Sequence, residues 1–87
     1  MSAVDRITVR LYRKHAQDRM AQRRVSEEDV LRALNNFVDR RETPKRSVLY
    51  IGPGVSGAPL KVWVFPDGHD LSGPKVVKSV AWKDDDD

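Results

Sequence analysis

Apolar residues recur every three or four positions between Tyr12 and Val38, and this spacing predicts two helices joined by a short turn. The first helix runs from Lys14 to about Arg23 and buries one ridge of residues four positions apart, namely Tyr12, Ala16 and Met20. The second runs from Glu27 to about Val38 and buries a longer stripe, which consists of Val30, Ala33, Leu34, Phe37 and Val38. Each helix is therefore expected to press one face against a core.

The start of the second helix carries a strong local signal. Ser26 is a preferred N-cap residue, and Asp29, three positions later, can complete a capping box with it. Val25 and Val30 have the spacing of a hydrophobic staple across this cap. The acidic residues at 27–29 add negative charge at the positive end of the helix dipole.

Alternation of apolar and polar residues predicts strands before and after the helices. A short first strand is expected at about Arg6–Arg10. Alternatively, the first helix starts early, with Asp5 as its N-cap and Val4 stapled to Val9. The charged cluster Asp39–Arg46 is expected to end the helical part of the chain.

Three later runs rich in branched and aromatic residues predict an antiparallel meander: Ser47–Gly52, Leu60–Phe65 and Lys75–Trp82. In the middle strand, Val62 and Val64 share the face expected to meet the helices, and the other face carries Lys61, Trp63 and Phe65. In the last strand, alternation groups Lys78 with Val80 and Trp82, and it groups Ser79 with Val77 and Ala81.

These elements predict an α+β fold in which a helix hairpin packs on a small antiparallel sheet of three to four strands. A chain of 87 residues supports one modest core, so residues 1–83 are expected to form a single domain. The four aspartates at 84–87 are expected to form a disordered acidic tail.

Charge changes this picture, because residues 1–83 carry 16 basic against 9 acidic residues and the acidic tail masks the excess in the overall charge of +3. Such a basic domain attracts polyanions, above all nucleic acid. The absence of cysteine excludes disulfides and thiolate chemistry. No apolar run has the length of a membrane span, no metal-ligand spacing occurs and no glycine-rich phosphate loop precedes a helix. A cytoplasmic protein without a metal or cofactor is expected.

The candidate site is a ridge on the first helix, where His15, Arg19 and Arg23 follow one another at intervals of four residues. A histidine can transfer a proton near neutral pH, and arginines can bind phosphate oxygens in a bidentate manner. His69 is a candidate for a second proton-transfer group. Other basic and aromatic side chains are expected to extend the nucleic-acid-binding surface, namely Arg13, Lys14, Arg24, Lys61, Trp63 and Lys78.

Other interpretations of the same residues remain open. The basic ridge could be a solvated helix face, and His15 could be a structural residue that pairs with Asp18 or with its arginine-rich surroundings. The two helices also resemble a helix-turn-helix DNA binder, although the acidic residues at 27–29 would then face phosphates. In a third interpretation, the basic face binds a host protein.

The motif His15-Ala16-x-x-Arg19-Met20-x-x-Arg23, followed by the acidic cap, resembles a bacterial and phage family of small domains of unknown function. That family is similar to the RelE/ParE-like toxins and to metal-independent ribonucleases. The resemblance implies that His15, Arg19 and Arg23 are active or binding residues, and it adds Ser79, where such domains often have Thr or Ser. This chain has Arg24 where the family usually has glycine.

The resemblance implies a toxin-like domain that binds RNA or DNA and acts as a metal-independent ribonuclease. The alternative is a non-enzymatic phage or bacterial regulator that binds a host protein or DNA through the basic helix. A cognate antitoxin and a homodimer are compatible with either function.

Overall fold

The computed structural model describes residues 7–66 and 74–83. These residues form two helices and five strands, in the order β1 (Val9–Tyr12), α1 (Lys14–Arg23), α2 (Glu27–Asn35), β2 (Asp39–Thr43), β3 (Ser47–Pro53), β4 (Pro59–Val64) and β5 (Lys75–Trp82). The strands form one sheet with the order β1-β5-β4-β3-β2. Neighbouring strands are antiparallel, except that β1 runs parallel to β5.

One core lies between the two helices and one face of the sheet. Helix α1 packs against β5, and α2 packs against β3 and β4. The alternating residues Leu60, Val62 and Val64 of β4 are almost completely buried, so the predicted valine face is confirmed. The rest of the core consists of Ile7, Ala16, Val25, Val30, Ala33, Leu34, Val48, Tyr50, Val77 and Val80. The opposite face of the sheet carries no helix among the described residues.

The predicted helix hairpin on an antiparallel sheet of three or four strands is wrong, although the fold does combine helices with a sheet. The helices pack on different strands, and the sheet has five strands of mixed direction. Strand β2 falls in the charged cluster that was expected only to end the helical part. Its sequence, Asp-Arg-Arg-Glu-Thr, lacks apolar alternation because β2 is an edge strand, held by its ladder with β3 and protected by its charge from further pairing.

The first strand also differs from its prediction. It spans Val9–Tyr12 instead of Arg6–Arg10, and the proposed early cap at Val4 and Asp5 lies outside the described residues. The side chain of Asn35 fixes the chain just before β1: its Oδ1 accepts a hydrogen bond from the Ile7 N–H at 2.6 Å, and its Nδ2 donates to the Ile7 carbonyl at 2.9 Å. A contact between residues this far apart in sequence leaves no local signal.

Strand β5 contains an irregularity that changes which residues face the helices. Trp63 pairs with Ser79, but the next residue, Val64, pairs with Val77, so Lys78 is the extra residue of a bulge. Val77 and Val80 are therefore both buried in the core. The predicted faces of this strand are wrong, because simple alternation separates these two valines and groups Val77 with Ser79.

The predicted start of α2 is confirmed. Ser26 caps the helix with its hydroxyl, which accepts from the Asp29 N–H at 3.0 Å, and the Asp29 carboxylate accepts from the Ser26 N–H at 2.9 Å. The same carboxylate accepts from the Val55 N–H at 2.8 Å and so ties α2 to the loop between β3 and β4. The helix ends at Asn35, short of the predicted Val38, so the expected burial of Phe37 and Val38 in its stripe is wrong. Phe37 is partly exposed and packs edge-on against Tyr50, and Val38 is 80% exposed.

Replacing Asp29 with asparagine is expected to lower the free energy of unfolding by about 1–3 kcal/mol, because the amide cannot accept all three hydrogen bonds. Burial raises the pKa of Asp29, but hydrogen bonds from Ser26 and Val55 lower it by more, so that its pKa lies below the ordinary value. The unfolded chain therefore binds the proton more readily than the folded chain. This contribution is fully present above the ordinary aspartate pKa and is lost as the pH falls through the lower pKa of the folded state.

Denaturant titrations of the wild type and Asp29→Asn over this acidic range measure the effect. The exposed Glu28→Gln, which makes the same charge change one residue away, is the control and should alter stability little. A difference between wild type and Asp29→Asn that stays constant with pH would contradict the argument.

Replacing Arg24 with glycine is expected to raise the free energy of unfolding by about 1 kcal/mol, since Arg24 ends α1 in the left-handed region at φ 56°. Arg24→Ala removes the same charge but keeps the backbone strain, so thermal unfolding of the two variants separates the backbone effect from the charge. Equal stability of the two variants would contradict the prediction.

Candidate functional site

A groove of about 410 Å³ opens at one end of the uncovered sheet face, between the start of α1 and the turn that joins β2 to β3. Trp63 and Ser79, which pair across β4 and β5, lie on its sheet side. His15 contributes from α1. The remaining lining residues are Thr43, Pro44, Lys45, Ser47 and Lys78.

The position of α1 explains how His15 reaches this groove. Strand β1 pairs with β5 only as far as Val77, and the Arg13 N–H then donates to the Val77 carbonyl at 3.1 Å. Helix α1 follows at once and packs against β5. Ala16 is completely buried in the core, whereas its neighbour His15 stays exposed at the groove.

The opposite wall is the β2–β3 turn, which the sequence analysis did not identify as part of a site. Thr43 and Ser47 face each other across it with their hydroxyl oxygens 2.7 Å apart, and the Lys45 N–H donates to the Thr43 hydroxyl at 3.2 Å. Lys78 Nζ donates to the Lys45 carbonyl at 3.1 Å and braces the turn against β5. Three residues separate the polar run ending at Thr43 from the apolar run starting at Ser47, a length typical of hairpins that could have revealed the turn.

Arg46 holds this turn in a conformation that side chains rarely adopt, with φ at 57°. A left-handed residue after the first turn residues is the usual geometry of a three-residue hairpin loop. The turn thus presents two adjacent basic residues, Lys45 and Arg46, beside the groove.

Cations surround the groove and are held by aromatic rings. The Lys78 ammonium and the Arg13 guanidinium each lie 5.6 Å from the centre of the Phe65 ring, and Lys61 Nζ lies 5.6 Å from the centre of the Trp63 ring. Such contacts stabilise a cation without neutralising it. Among the described residues that line the groove there is no carboxylate, so the local field favours anions.

Arg19 lies beside the imidazole of His15. Arg19 Nε donates to His15 Nε2 at 3.4 Å, and Arg19 Nη1 donates to Gln22 Oε1 at 3.1 Å. Asp18 lies instead near Lys14, with 3.9 Å between the carboxylate and the ammonium, so the alternative pairing of His15 with Asp18 does not occur.

The structure brings together some of the predicted site residues and separates others. His15, Trp63, Lys78 and Ser79 line the groove. Three more touch those residues or share a ring with them, namely Arg13, Arg19 and Lys61.

The remaining predicted residues take no described part in the groove. Lys14 is almost fully exposed near Asp18, and Arg24 lies in the turn after α1. Arg23 accepts a hydrogen bond at its carbonyl from the Trp82 indole at 2.7 Å, which anchors the end of α1 to β5. His69, the candidate second proton-transfer group, lies outside the described residues.

Tyr12 does not supply a titrating group near neutral pH. Burial, with a further contribution from the negative charge of Glu27, raises the pKa of Tyr12 to about 12. Its phenol therefore stays protonated and packs against the core.

In the described part of the chain, neither helix has the length and apolar composition needed to cross a bilayer.

Comparison with known families identifies one match. The model of a domain of unknown function, DUF4258, matches residues 12–82, a range that includes every residue lining the groove. Searches of curated proteins and of solved structures gave no significant match. The expected membership in a family of unknown function is thereby confirmed, and the chain belongs to the DUF4258 family.

Proposed function

We propose that this domain binds RNA in the groove and cleaves it without a metal ion, with His15 as the proton acceptor. The observation that carries the proposal is the composition of the groove: an exposed imidazole, three hydroxyls and a tryptophan, surrounded by cations and without a lining carboxylate. RNA offers ligands for each group, since its phosphates attract cations and its unpaired bases stack on aromatic rings.

The proposed cleavage uses the 2′-hydroxyl of the RNA itself. When Arg19 turns from His15 Nε2 to the phosphate, that nitrogen is free to remove the proton from this hydroxyl, and the oxygen then attacks the adjacent phosphorus. The bond from phosphorus to the 5′-oxygen breaks, and the leaving oxygen takes a proton from water. Arg19 and Lys78 stabilise the added negative charge on the phosphorus centre. With one imidazole in the groove among the described residues, cleavage should be slow and limited by departure of the 5′-oxygen.

DNA reading by α2 is the weaker alternative. Glu27 and Glu28 are exposed at the end of α2 that would approach the bases, and they would meet the phosphates with like charge. The apolar face of α2 packs against β3 and β4, so it is not available to contact DNA.

The resemblance to RelE/ParE-like toxins supports the same proposal, because it rests on the motif that contains His15 and Arg19. In this proposal the domain is a cytoplasmic toxin-like ribonuclease whose activity a cognate antitoxin can inhibit. The domain acts either as a monomer or as a homodimer.

Cleavage of a mixed-sequence RNA in EDTA tests the proposal. Wild type is expected to cut, and His15→Ala should lower the rate by about 10²-fold or more through loss of the proton acceptor. Arg19→Ala should also lower it through loss of charge stabilisation. Arg32→Ala is the matched control, since it removes the same charge as Arg19→Ala but from α2, where Arg32 pairs with Glu28 and does not line the groove, so it should leave the rate nearly unchanged.

Each variant is checked for folding by thermal unfolding. Equal cleavage by wild type and His15→Ala would contradict the assigned role of His15. If wild type does not cut but binds RNA with a steep salt dependence, the catalytic part of the proposal is wrong and the domain is a binding module. If it neither cuts nor binds, RNA is not its ligand and a protein partner becomes the better explanation.

A further inference from the structure

The size of the groove limits what part of an RNA can enter it. A volume of about 410 Å³ is near the lower end of the range typical of small-ligand sites, roughly 300–1,000 Å³. Its lining combines one ring for stacking with a few polar donors, a set that suits one nucleotide. Because bases in a double helix are stacked and paired inside it, only an unpaired nucleotide can place its base in such a groove.

Trp63 provides the surface on which a base would stack. Its side chain is half-buried on the uncovered face, and it is flanked on the strand ladders by Leu49 and Ser79. Lys61 Nζ lies 5.6 Å from the centre of the indole ring, within the range of a cation–π contact. A large ring that lines a groove on the uncovered face, instead of the core, has surface available for a ligand.

The β2–β3 turn provides donors for the phosphate of that nucleotide. Thr43 and Ser47 share one hydrogen bond between their hydroxyls, which uses one of their two hydroxyl hydrogens and leaves the other for a phosphate oxygen. Lys45 and Lys78 lie at the same wall, joined by the bond from Lys78 Nζ to the Lys45 carbonyl. An ammonium makes three hydrogen bonds, so Lys78 can brace the turn and still bind a phosphate.

We infer that the groove is a subsite for one unpaired nucleotide, whose base stacks on Trp63 and whose phosphate binds between Lys45, Lys78 and the turn hydroxyls. The inference rests on the proposed RNA function and gives it a substrate class, single-stranded RNA. Stacking on one ring accepts any base, so the subsite selects strandedness more than sequence.

Binding to a probe that cannot be cleaved tests the subsite separately from catalysis. The probe is a fluorescent single-stranded 2′-O-methyl RNA, in which the attacking hydroxyl is blocked, and the comparison is a blunt duplex of the same sequence. Fluorescence anisotropy over a series of salt concentrations gives the affinity and its salt slope. The single strand is expected to bind at least about tenfold more tightly than the duplex.

Variants assign this difference to residues. Trp63→Leu should weaken single-strand binding about tenfold with an unchanged salt slope, and Trp63→Phe should retain most of the affinity because it keeps a stacking ring. Lys78→Gln should reduce the slope by about one. Leu49→Ala is the matched control, since Leu49 pairs with Trp63 on the same face but does not line the groove.

Two results would overturn the subsite while leaving the proposed function standing: cleavage by wild type with equal binding of duplex and single strand, or a Trp63→Leu variant that binds like Leu49→Ala. Failure of wild type to bind either probe or to cleave RNA would overturn both. Because Trp63 lies outside the core, Trp63→Leu should unfold at nearly the same temperature as the wild type. Thermal unfolding checks this, so that a loss of binding is not mistaken for a loss of folding.

Discussion

The end of the parallel ladder between β1 and β5 is the constraint on which the candidate site depends. This ladder stops at the pairing of Tyr12 with Val77, and α1 begins two residues after Tyr12. Because α1 follows at once and packs against β5, its residue Ala16 is buried in the core, while the neighbouring His15 lines the groove together with Ser79. A longer β1 would keep α1 away from β5 and remove the histidine from the groove.

The bulge at Lys78 makes a second contribution to the same place. The extra residue puts both Val77 and Val80 into the core and brings Ser79 to the uncovered face opposite Trp63. It also directs Lys78 toward the β2–β3 turn, where its ammonium binds the Lys45 carbonyl. Bulges commonly re-aim side chains next to sites, and this one supplies both a lining hydroxyl and a lining cation.

The sequence predicts those features that depend on neighbouring residues. The capping box of Ser26 and Asp29, the burial of Ala16 and the valine face of β4 follow from local patterns, and each is confirmed. Tyr12, which was expected to share the helix ridge with Ala16, belongs to β1 instead. Strand β2 cannot be predicted from alternation, because both of its faces carry charged residues. The bulge in β5 cannot be predicted either, because the extra residue leaves no mark in the apolar–polar pattern of the sequence. The parallel pairing of β1 joins distant segments, so hydrophobic periodicity cannot reveal it.

The same reasoning explains which candidate residues the groove contains. Spacing along one helix grouped Arg23 with His15 and Arg19, yet Arg23 lies about two turns of helix beyond His15 and does not line the groove. Its backbone carbonyl instead accepts the anchoring hydrogen bond from Trp82. Residues that no local pattern connects, such as His15 and Lys45, meet because β5 lies next to α1 on one side while Lys78 reaches the turn on the other. The cations around Phe65 and Trp63 repel one another in the free protein, and aromatic rings offset this repulsion without supplying counter-charge. A polyanion would supply that counter-charge, which is why the field of the groove, more than any one residue, argues for a nucleic-acid ligand.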